Sequence, residues 1–302
     1  MSLKLKDLGK VLKAAFSSWF DKDPFRESAA VAYFSVFSLP ALLVIVIGIS
    51  GVFFGEAAMS GQVFNQVSQI MGAETAEQIE IMVIKASTSD RSVWATVIGL
   101  IVLLFGATGV FAELQTALNN VWGVRVSPKK GNKIYLYFRT RLFSFGLILT
   151  IGFLLLISLV IDSLLVATSD YLRGFWTEGV VFLFQVINVC TSIGIISILF
   201  ALMFKFLPDA KVKWKCVWMG AIVTALLFTL GKYLLGLYFE KAQPESNYGA
   251  AGSIILILLW TSYSSMILFF GAEFTKATSD LYCGEVQPGR YGIKVTEKIV
   301  EE

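Results

Sequence analysis

The sequence predicts an all-α polytopic membrane protein with six transmembrane helices and both termini in the cytoplasm. Three observations lead to this prediction: the composition is apolar, six long apolar runs recur along the chain, and the loops alternate in basic charge. Hydrophobic residues make up 56% of the 302 residues and charged residues 16%. Soluble domains have about 45–50% apolar and about 25% charged residues, so the composition excludes a pair of soluble domains.

The first 28 residues predict a cytoplasmic amphipathic segment (residues 1–28) that lies on the membrane face. Apolar residues recur there at helical spacing between Leu3 and Phe20, as in interfacial helices. An apolar core followed by a small-residue cleavage site is missing, so a cleaved signal peptide is not expected. Residues 29–279 form the predicted membrane domain, and residues 280–302 form a predicted polar tail in the cytoplasm.

Six apolar runs are long enough to cross the hydrocarbon core, which takes about 20 helical residues. They cover about residues 30–54, 93–112, 142–167, 180–204, 217–238 and 251–272. Pro40 in the first run predicts a kink or a break in that helix. Between the first two runs, residues 57–91 show apolar spacing that is typical of two short amphipathic helices on the outer face.

The distribution of lysine and arginine sets the predicted orientation. From the N-terminus to the C-terminus, the segments outside the six runs carry 6, 2, 6, 1, 4, 1 and 4 basic residues, and Lys232 lies within a run. Rich and poor segments alternate along the whole chain. Because loops rich in lysine and arginine stay on the cytoplasmic side, both termini are predicted to be cytoplasmic.

Ionisable residues inside membrane spans are costly and therefore mark candidate substrate pathways. Lys232, Asp162, Gln185 and Asn188 are predicted at similar depth in the outer half of the membrane. One polar cluster would satisfy all four side chains. The alternative is that Asp162 only marks the outer interface and that Lys232 extends its ammonium toward the headgroups. The sequence leaves both interpretations open.

A second polar set is predicted at the cytoplasmic ends of the spans. Glu113 and Asn120 follow the second span in FAELQTALNNVWGV, and Glu273 follows the sixth span in GAEFTKA. Two carboxylates at equal depth beside basic residues would make a polar inner vestibule, so these three residues are also substrate-pathway candidates. The alternative is solvated helix ends with ion pairs worth under about 1 kcal/mol.

Basic residues near the membrane surface are candidates for contact with lipid headgroups. Arg26 precedes the first span, and Lys211, Lys213 and Lys215 lie in the short turn between the fourth and fifth spans. Such residues contribute about 1 kcal/mol each to the attraction toward an anionic surface. Lysines of this kind also serve as simple topological anchors, and the sequence does not separate the two roles.

The residue types that are missing exclude several activities. The chain has no histidine, which removes Ser-His-Asp and Cys-His nucleophilic sites and the usual zinc sites. Cys190, Cys216 and Cys283 show no CxxC or metal-ligand spacing, so free thiols are expected. We therefore expect no catalytic residues, no metal and no cofactor, and we predict that the chain is not an enzyme. The net charge of +3 indicates no nucleic-acid partner.

Five stretches carry a family resemblance: AVAYFSVFSLPALLVI, FAELQTALNNVWGV, FLPDAKVKW, GAIVTALLFTLGKYLLGLY and NYGAAGSIILILLWTSYSSMILFFGAEFT. They resemble the YihY/BrkB family of bacterial membrane proteins, also grouped as UPF0761, over about residues 15–280. The resemblance implies a six-span protein of the cytoplasmic (inner) membrane. Many members of that family carry a "ribonuclease BN" label, and some carry a "virulence factor" label.

The ribonuclease label can be tested on the residues themselves. A zinc nuclease of the metallo-β-lactamase type needs clustered histidines, which this chain lacks. A two-metal carboxylate site needs several facing acids, but Asp162 is predicted on the opposite side of the membrane from Glu113 and Glu273. We therefore reject ribonuclease activity.

The remaining features predict a transporter or flippase for a lipid or another amphiphilic envelope compound. Polar residues at two depths, amphipathic outer helices and basic inner loops support this prediction, and the expected partners are membrane lipids, anionic phospholipid above all. The alternative is a non-transporting envelope scaffold, or a partner of a lipid-transport system, in which the polar residues only tie helices together. A homo-oligomer and an envelope protein partner are both left open.

Overall fold

The computed structural model describes residues 5–38, 93–126, 178–242, 252–289 and 292–295, together with residues 61, 64, 65, 68, 76, 77, 80, 81 and 84. Over these residues the chain is mostly helical. Two short two-stranded sheets accompany the helices, and the all-α prediction did not include them.

Six helices are described in chain order. They are α1 (Leu5–Asp21), α2 (residues 24–38), α3 (Val93–Trp122), α4 (Glu178–Phe206), α5 (Trp214–Ala242) and α6 (Gly252–Thr278). A π-helical turn over Ser279–Cys283 continues α6. Helices of 27 to 30 residues, such as α3 to α6, are longer than the roughly 20 residues that a membrane crossing requires.

Three helices of the described part are both long and apolar enough to cross a membrane. The qualifying segments are Val189–Phe206 in α4, Trp214–Phe239 in α5, and Ile254–Cys283 in α6 and its π turn. They coincide with the predicted fourth, fifth and sixth spans, so these three apolar runs are confirmed as long apolar helices. Their side chains turn large apolar groups outward, for example Leu226, Leu230 and Leu234 of α5, as expected for contact with lipid.

The other predicted spans are described only in part. The first span is described as far as residue 38, and the second lies within α3. The third span, 142–167, lies outside the described residues. The described positions between residues 61 and 84 are all helical, and Phe64 among them is buried. The count of six spans, the outer amphipathic helices and the orientation therefore stay predictions.

Helices α5 and α6 pack closely through two reciprocal glycine–threonine contacts. A Cβ placed on Gly220 of α5 would lie 2.8 Å from Cβ of Thr275, and a Cβ placed on Gly271 of α6 would lie 2.8 Å from Cβ of Thr224. Each threonine hydroxyl donates to the carbonyl four residues earlier, which is Gly220 for Thr224 and Gly271 for Thr275. The two helices run antiparallel, and small residues allow their backbones to approach.

The main core lies at one end of the bundle, where α3 to α6 converge. Leu118 of α3, Phe204 of α4 and Val217 of α5 are all completely buried there, and so is Ala272 of α6. The helix ends and the loops between them lie at this same end of the bundle, so their backbone polar groups are next to the core. Packing of the core side chains therefore fixes where the helix ends lie.

The N-terminal helix α1 packs lengthwise against α6, in the opposite direction. Val11 and Ala15 are buried against Phe274, and the phenol of Tyr282 donates to the carboxylate of Asp7 at 2.9 Å. The exposed side chains of α1 mix charged residues, such as Lys10 and Lys13, with large apolar ones, such as Phe16. Residues 5–21 are helical, and the predicted position of this segment on the membrane face stays a prediction. Its contact along α6 is a feature that the sequence did not indicate.

The C-terminal segment pairs with two loops at the same end of the bundle. Strand β1 (Val124–Val126) follows α3 and pairs antiparallel with β4 (Gly292–Lys294). Strand β2 (Ala210–Lys211) lies between α4 and α5 and pairs antiparallel with β3 (Gln287–Pro288). Part of the predicted polar tail therefore ties together the loops that follow α3 and α4.

The expectation of three free thiols is wrong for two of them. Cys216 at the start of α5 and Cys283 at the end of the π turn form a disulfide, with their Cα atoms 6.6 Å apart. Both residues are buried, and 67 residues separate them in the chain, which is why no local spacing revealed the pair. Cys190 is a free, exposed cysteine.

Candidate functional site: a charged cavity at one end of the helix bundle

A cavity of about 570 Å³ opens where four helices end or begin. It lies between the C-terminal ends of α1 and α3, the N-terminal end of α2, and α6. Eight charged residues line it: Asp21, Lys22, Asp23, Arg26, Glu27, Arg125, Glu273 and Lys276. Its volume falls in the range of about 300–1,000 Å³ that is typical of ligand pockets.

Two chain reversals place these residues around the cavity. Helix α1 ends at Asp21, Asp23 adopts a positive φ of 49°, and Pro24 begins α2 with a ring that suits the first helical turn. Helix α3 ends before Gly123, whose φ of 62° is the left-handed conformation typical of a helix C-terminus. The cavity is thus walled by helix ends, where backbone groups and charges are close to each other.

Lys22 joins three helices at the cavity wall. Its Nζ donates to Oε1 of Glu273 at 2.6 Å and to the carbonyl oxygen of Val121 at 3.1 Å. Val121 lies in the last turn of α3, where helix carbonyls have no intrahelical partner and carry negative partial charge. One ammonium from the end of α1 therefore neutralises a carboxylate of α6 and the negative end of α3.

Glu273 is the buried acid of the cavity. The residue is 1% exposed, and one of its oxygens, Oε1, is held by Lys22. The other oxygen, Oε2, is buried and has no hydrogen-bond partner among the described residues. Buried polar atoms are nearly always hydrogen-bonded, so this half-satisfied carboxylate is unusual.

Lys276 is the second lysine at this wall. It follows Glu273 by three residues on α6, which places both side chains on one face of the helix. It also lies within electrostatic range of Lys22 and of Asp280. Among the described residues Lys22 forms the salt bridge with Glu273, and Lys276 is a second cation within electrostatic range of the same carboxylate.

The rim of the cavity carries weaker pairs. Arg26 and Glu27 form an ion pair at 3.8 Å, and the side-chain amide of Asn120 donates to Glu27 at 3.5 Å. The Arg26 side chain is 76% exposed, and exposed pairs of this kind contribute about 0–1 kcal/mol. The rim is therefore held loosely, in contrast to the wall formed by Lys22 and Glu273.

The structure brings some of the predicted residues together. Asn120, Glu273 and Arg26 all line the cavity, whereas Glu113 is half-buried and does not line it. Lys211 and Lys215 are exposed on the neighbouring turn, and Lys213 donates to the carbonyl of Cys283 at 2.6 Å. These three lysines do not line the cavity.

The predicted outer cluster stays a prediction. Lys232 is half-buried on α5. Asp162 lies outside the described residues, and so do the side chains of Gln185 and Asn188, whose backbones belong to α4.

A different group of polar residues on α3 has a structural role. Oδ2 of Asp209 accepts hydrogen bonds from Gln115 at 3.0 Å and Asn119 at 3.3 Å. The backbone of Asp209 donates to Asn119 at 2.7 Å and accepts from Gly289 at 2.7 Å. The polar face in FAELQTALNN therefore holds the turn between α4 and α5, next to the C-terminal strands.

Sequence reasoning missed Lys22 and Arg125 as cavity residues. A buried carboxylate such as that of Glu273 requires a cation nearby, and this requirement is the one sequence signal that indicated a lysine or arginine partner for it. In the part of the chain that the structure describes, no group of three or more His, Cys, Asp or Glu residues is placed to hold a metal ion.

The fold and the cavity define a helical membrane protein with a charged pocket at one end of its bundle. The family described as "Virulence factor BrkB" matches residues 15–288. The chain belongs to this family, which confirms the resemblance found in its motifs. The match covers the eight charged cavity residues and the three apolar helices.

Curated relatives are bacterial proteins named "UPF0761 membrane protein". The one from Saccharophagus degradans is 24% identical over 275 residues, which is 90% of this chain and 60% of that protein. The one from Mannheimia succiniciproducens is 25% identical over 281 residues, which is 90% of this chain and 91% of that protein. This chain spans less than two thirds of the length of several of these relatives. No solved structure matches it.

Proposed function

We propose that this protein is a flippase-type transporter that moves an anionic phospholipid, or a similar amphiphile, across the bacterial cytoplasmic membrane without converting it chemically. The observation that supports the proposal is the charged cavity at one end of the helix bundle, beside the C-terminal end of the apolar helix α6, with a lysine–glutamate pair in its wall. A lipid headgroup needs such a polar site at the edge of the membrane, because its charge is costly to desolvate in hydrocarbon.

An aromatic surface beside the cavity supports the same function. Trp19 lines the cavity, and its ring lies 5.7 Å from that of Phe16 and 6.3 Å from that of Phe25. Both phenylalanines are 57% exposed. An apolar surface that leads to a charged pocket suits a molecule with acyl chains and an ionic headgroup, since each part meets a chemically similar environment.

The orientation of the chain in the membrane, with both termini in the cytoplasm, is part of the proposal. With both termini in the cytoplasm, the cavity would open on the cytoplasmic side, beside basic residues suited to anionic headgroups. We expect a C-terminal green fluorescent protein fusion to fluoresce in bacteria and a C-terminal alkaline phosphatase fusion to be inactive. Active phosphatase with a dark fluorescent fusion would show the opposite orientation.

Lipid movement in vesicles tests the function. We expect the purified chain, reconstituted in phosphatidylglycerol vesicles, to bring a fluorescent phosphatidylglycerol from the inner to the outer leaflet, where dithionite bleaches it. Lys22→Ala removes one charge-assisted hydrogen bond of about 1.5–3 kcal/mol at the cavity, so the rate should fall about tenfold or more. Lys13→Ala is the control, because Lys13 is exposed on α1 and does not line the cavity.

Two outcomes would contradict the proposal. Vesicles with the folded wild-type protein that bleach no faster than protein-free vesicles would favour the envelope scaffold. Equal rates of lipid movement for the Lys22→Ala and Lys13→Ala variants would show that lipid movement does not depend on the cavity.

A further inference from the structure

We infer that the cavity binds a phosphate-type anion between Lys22 and Lys276, and that Glu273 is a built-in anion that the phosphate displaces from Lys22. The inference rests on the proposed function only for the source of the phosphate, which would be a lipid headgroup. The argument itself depends on the charges and hydrogen bonds at the cavity wall.

The first step is the charge at this wall. Lys22 forms a salt bridge with Glu273, and Lys276 lies within electrostatic range of both side chains. These three side chains carry one net positive charge, whereas the eight charged residues around the whole cavity, four cations and four anions, sum to zero, so the excess positive charge is local to this wall. A phosphate with at least one negative charge would balance them, and lysine binds phosphate as a point charge through up to three N–H donors.

The second step is that Glu273 is only half held. Oε1 is bound by Lys22, whereas the buried Oε2 has no hydrogen-bond partner among the described residues. A carboxylate with both oxygens satisfied would resist displacement, because each lost hydrogen bond would leave a buried group unpaired. Glu273 has one such bond, to Lys22, so its displacement breaks a single hydrogen bond. The buried carboxylate then keeps Lys276, one turn along α6, as its neighbouring cation, and the phosphate must offset the lost contact with Lys22.

A nearby carboxylate shows what a purely structural arrangement looks like. Oδ2 of Asp209 accepts from both Gln115 and Asn119, and its backbone amide and carbonyl are bonded as well. These bonds fix Asp209 from several directions. Glu273 lacks this enclosure and lines a cavity of about 570 Å³ instead, which is the arrangement expected of an exchangeable ligand.

The third step concerns Lys22, which keeps a partner after the exchange. Its Nζ also donates to the carbonyl of Val121 at 3.1 Å, so it stays anchored to the end of α3 while Glu273 leaves. Its side chain is 32% exposed and is reachable from the cavity. The same ammonium can therefore pass from Glu273 to an incoming phosphate without becoming unpaired.

Binding isotherms of the full chain in an uncharged detergent test the inference. The probes are inorganic phosphate, dihexanoyl phosphatidylglycerol and, as a ligand without phosphate, octyl glucoside. We expect both phosphate probes to bind and octyl glucoside not to bind. Affinity for phosphatidylglycerol that is at least about tenfold above that for inorganic phosphate would identify a lipid headgroup as the source, and equal affinities would identify free phosphate.

The variants separate an exchangeable glutamate from a structural one. Lys22→Gln and Lys276→Gln should each weaken phosphate binding about tenfold, the usual effect of losing one charged hydrogen bond. Glu273→Gln should strengthen binding several-fold, because the competing anion is gone and both lysines are free for the phosphate. Lys13→Gln should bind like the wild type. A monodisperse elution profile controls for folding in every variant.

Two results would overturn the inference. One is unchanged or weaker phosphate binding in Glu273→Gln, as expected if Glu273 does not compete with the phosphate and only holds the cavity together. The other is a folded wild-type protein that binds neither phosphate probe. The isotherms measure binding without any lipid movement, so they are independent of the vesicle assay. If the isotherms are as expected but the vesicles show no lipid movement, only the proposed function is wrong. If lipid moves but Glu273→Gln has no effect on phosphate binding, only this inference is wrong.

Discussion

Replacing Gly220 and Gly271 together with alanine is expected to prevent α5 and α6 from packing and to leave little monodisperse protein. A Cβ on either glycine would lie 2.8 Å from the Cβ of the facing threonine, so a rotation of the threonine hydroxyl does not remove the overlap. Each single substitution should lower the free energy of unfolding by about 1–3 kcal/mol, the usual cost of overpacking.

A glycine on the same helix provides the matched control. A Cβ on Gly236 of α5 meets nothing within 4 Å, and alanine has a higher helix propensity than glycine by about 1 kcal/mol. Gly236→Ala should therefore be neutral or stabilising. The measurements are thermal unfolding in detergent and the monodisperse fraction on size exclusion.

A compensating substitution sharpens the same prediction. Adding Thr275→Gly to Gly220→Ala removes the facing Cβ and should recover part of the lost stability, less the cost of a second helical glycine. If Gly220→Ala and Gly236→Ala unfold at the same temperature, the close approach of α5 and α6 is not a source of stability.

The sequence predicts the long helices well because membrane burial imposes a strong and local pattern. The runs 180–204, 217–238 and 251–272 contain few charges and fall within α4, α5 and α6. The small sheets could not be found in the same way. Strands of two or three residues are too short for an alternating pattern to emerge, and their partners lie in a segment near residue 290.

Arg26, Asn120 and Glu273 were predicted as candidates and line the cavity, but the ion pair at its wall could be predicted only from the side of α6. Glu273 is conspicuous because it continues an apolar helix, and Lys276 follows it by one turn. Lys22 lies 251 residues away, in a turn where charge is ordinary, so no local pattern identifies it as the partner. Glu113 looked equivalent to Glu273 in the sequence, but helix geometry turns Ala117, Asn120 and Val121 toward the cavity instead.

Removing both lysines at the cavity wall is expected to have the second large effect on the free energy of unfolding. In Lys22→Ala/Lys276→Ala the buried carboxylate of Glu273 loses both neighbouring ammonium groups. We expect the free energy of unfolding to fall by about 3–5 kcal/mol, because an uncompensated charge is left in a buried position. Lys22→Ala alone should cost less, since Lys276 lies beside Glu273 and compensates in part.

Removing the carboxylate should reverse most of this loss. Adding Glu273→Gln to the double variant replaces the buried charge with a neutral amide, so the triple variant should regain at least about half of the lost stability. This result distinguishes two causes of the lost stability. Glu273→Gln removes the buried charge, but it does not restore the packing of the two lysine side chains, so a recovery would show that the buried charge is the cause.

An exposed ion pair in the same chain is the control for these measurements. Lys294 and Glu285 form a salt bridge whose side chains are 49% and 74% exposed, and surface pairs contribute about 0–1 kcal/mol. Lys294→Ala should therefore change the unfolding midpoint in denaturant very little. Should the triple variant prove no more stable than Lys22→Ala/Lys276→Ala, the buried charge of Glu273 would not be what the two lysines offset, and the cavity wall would be held by packing alone.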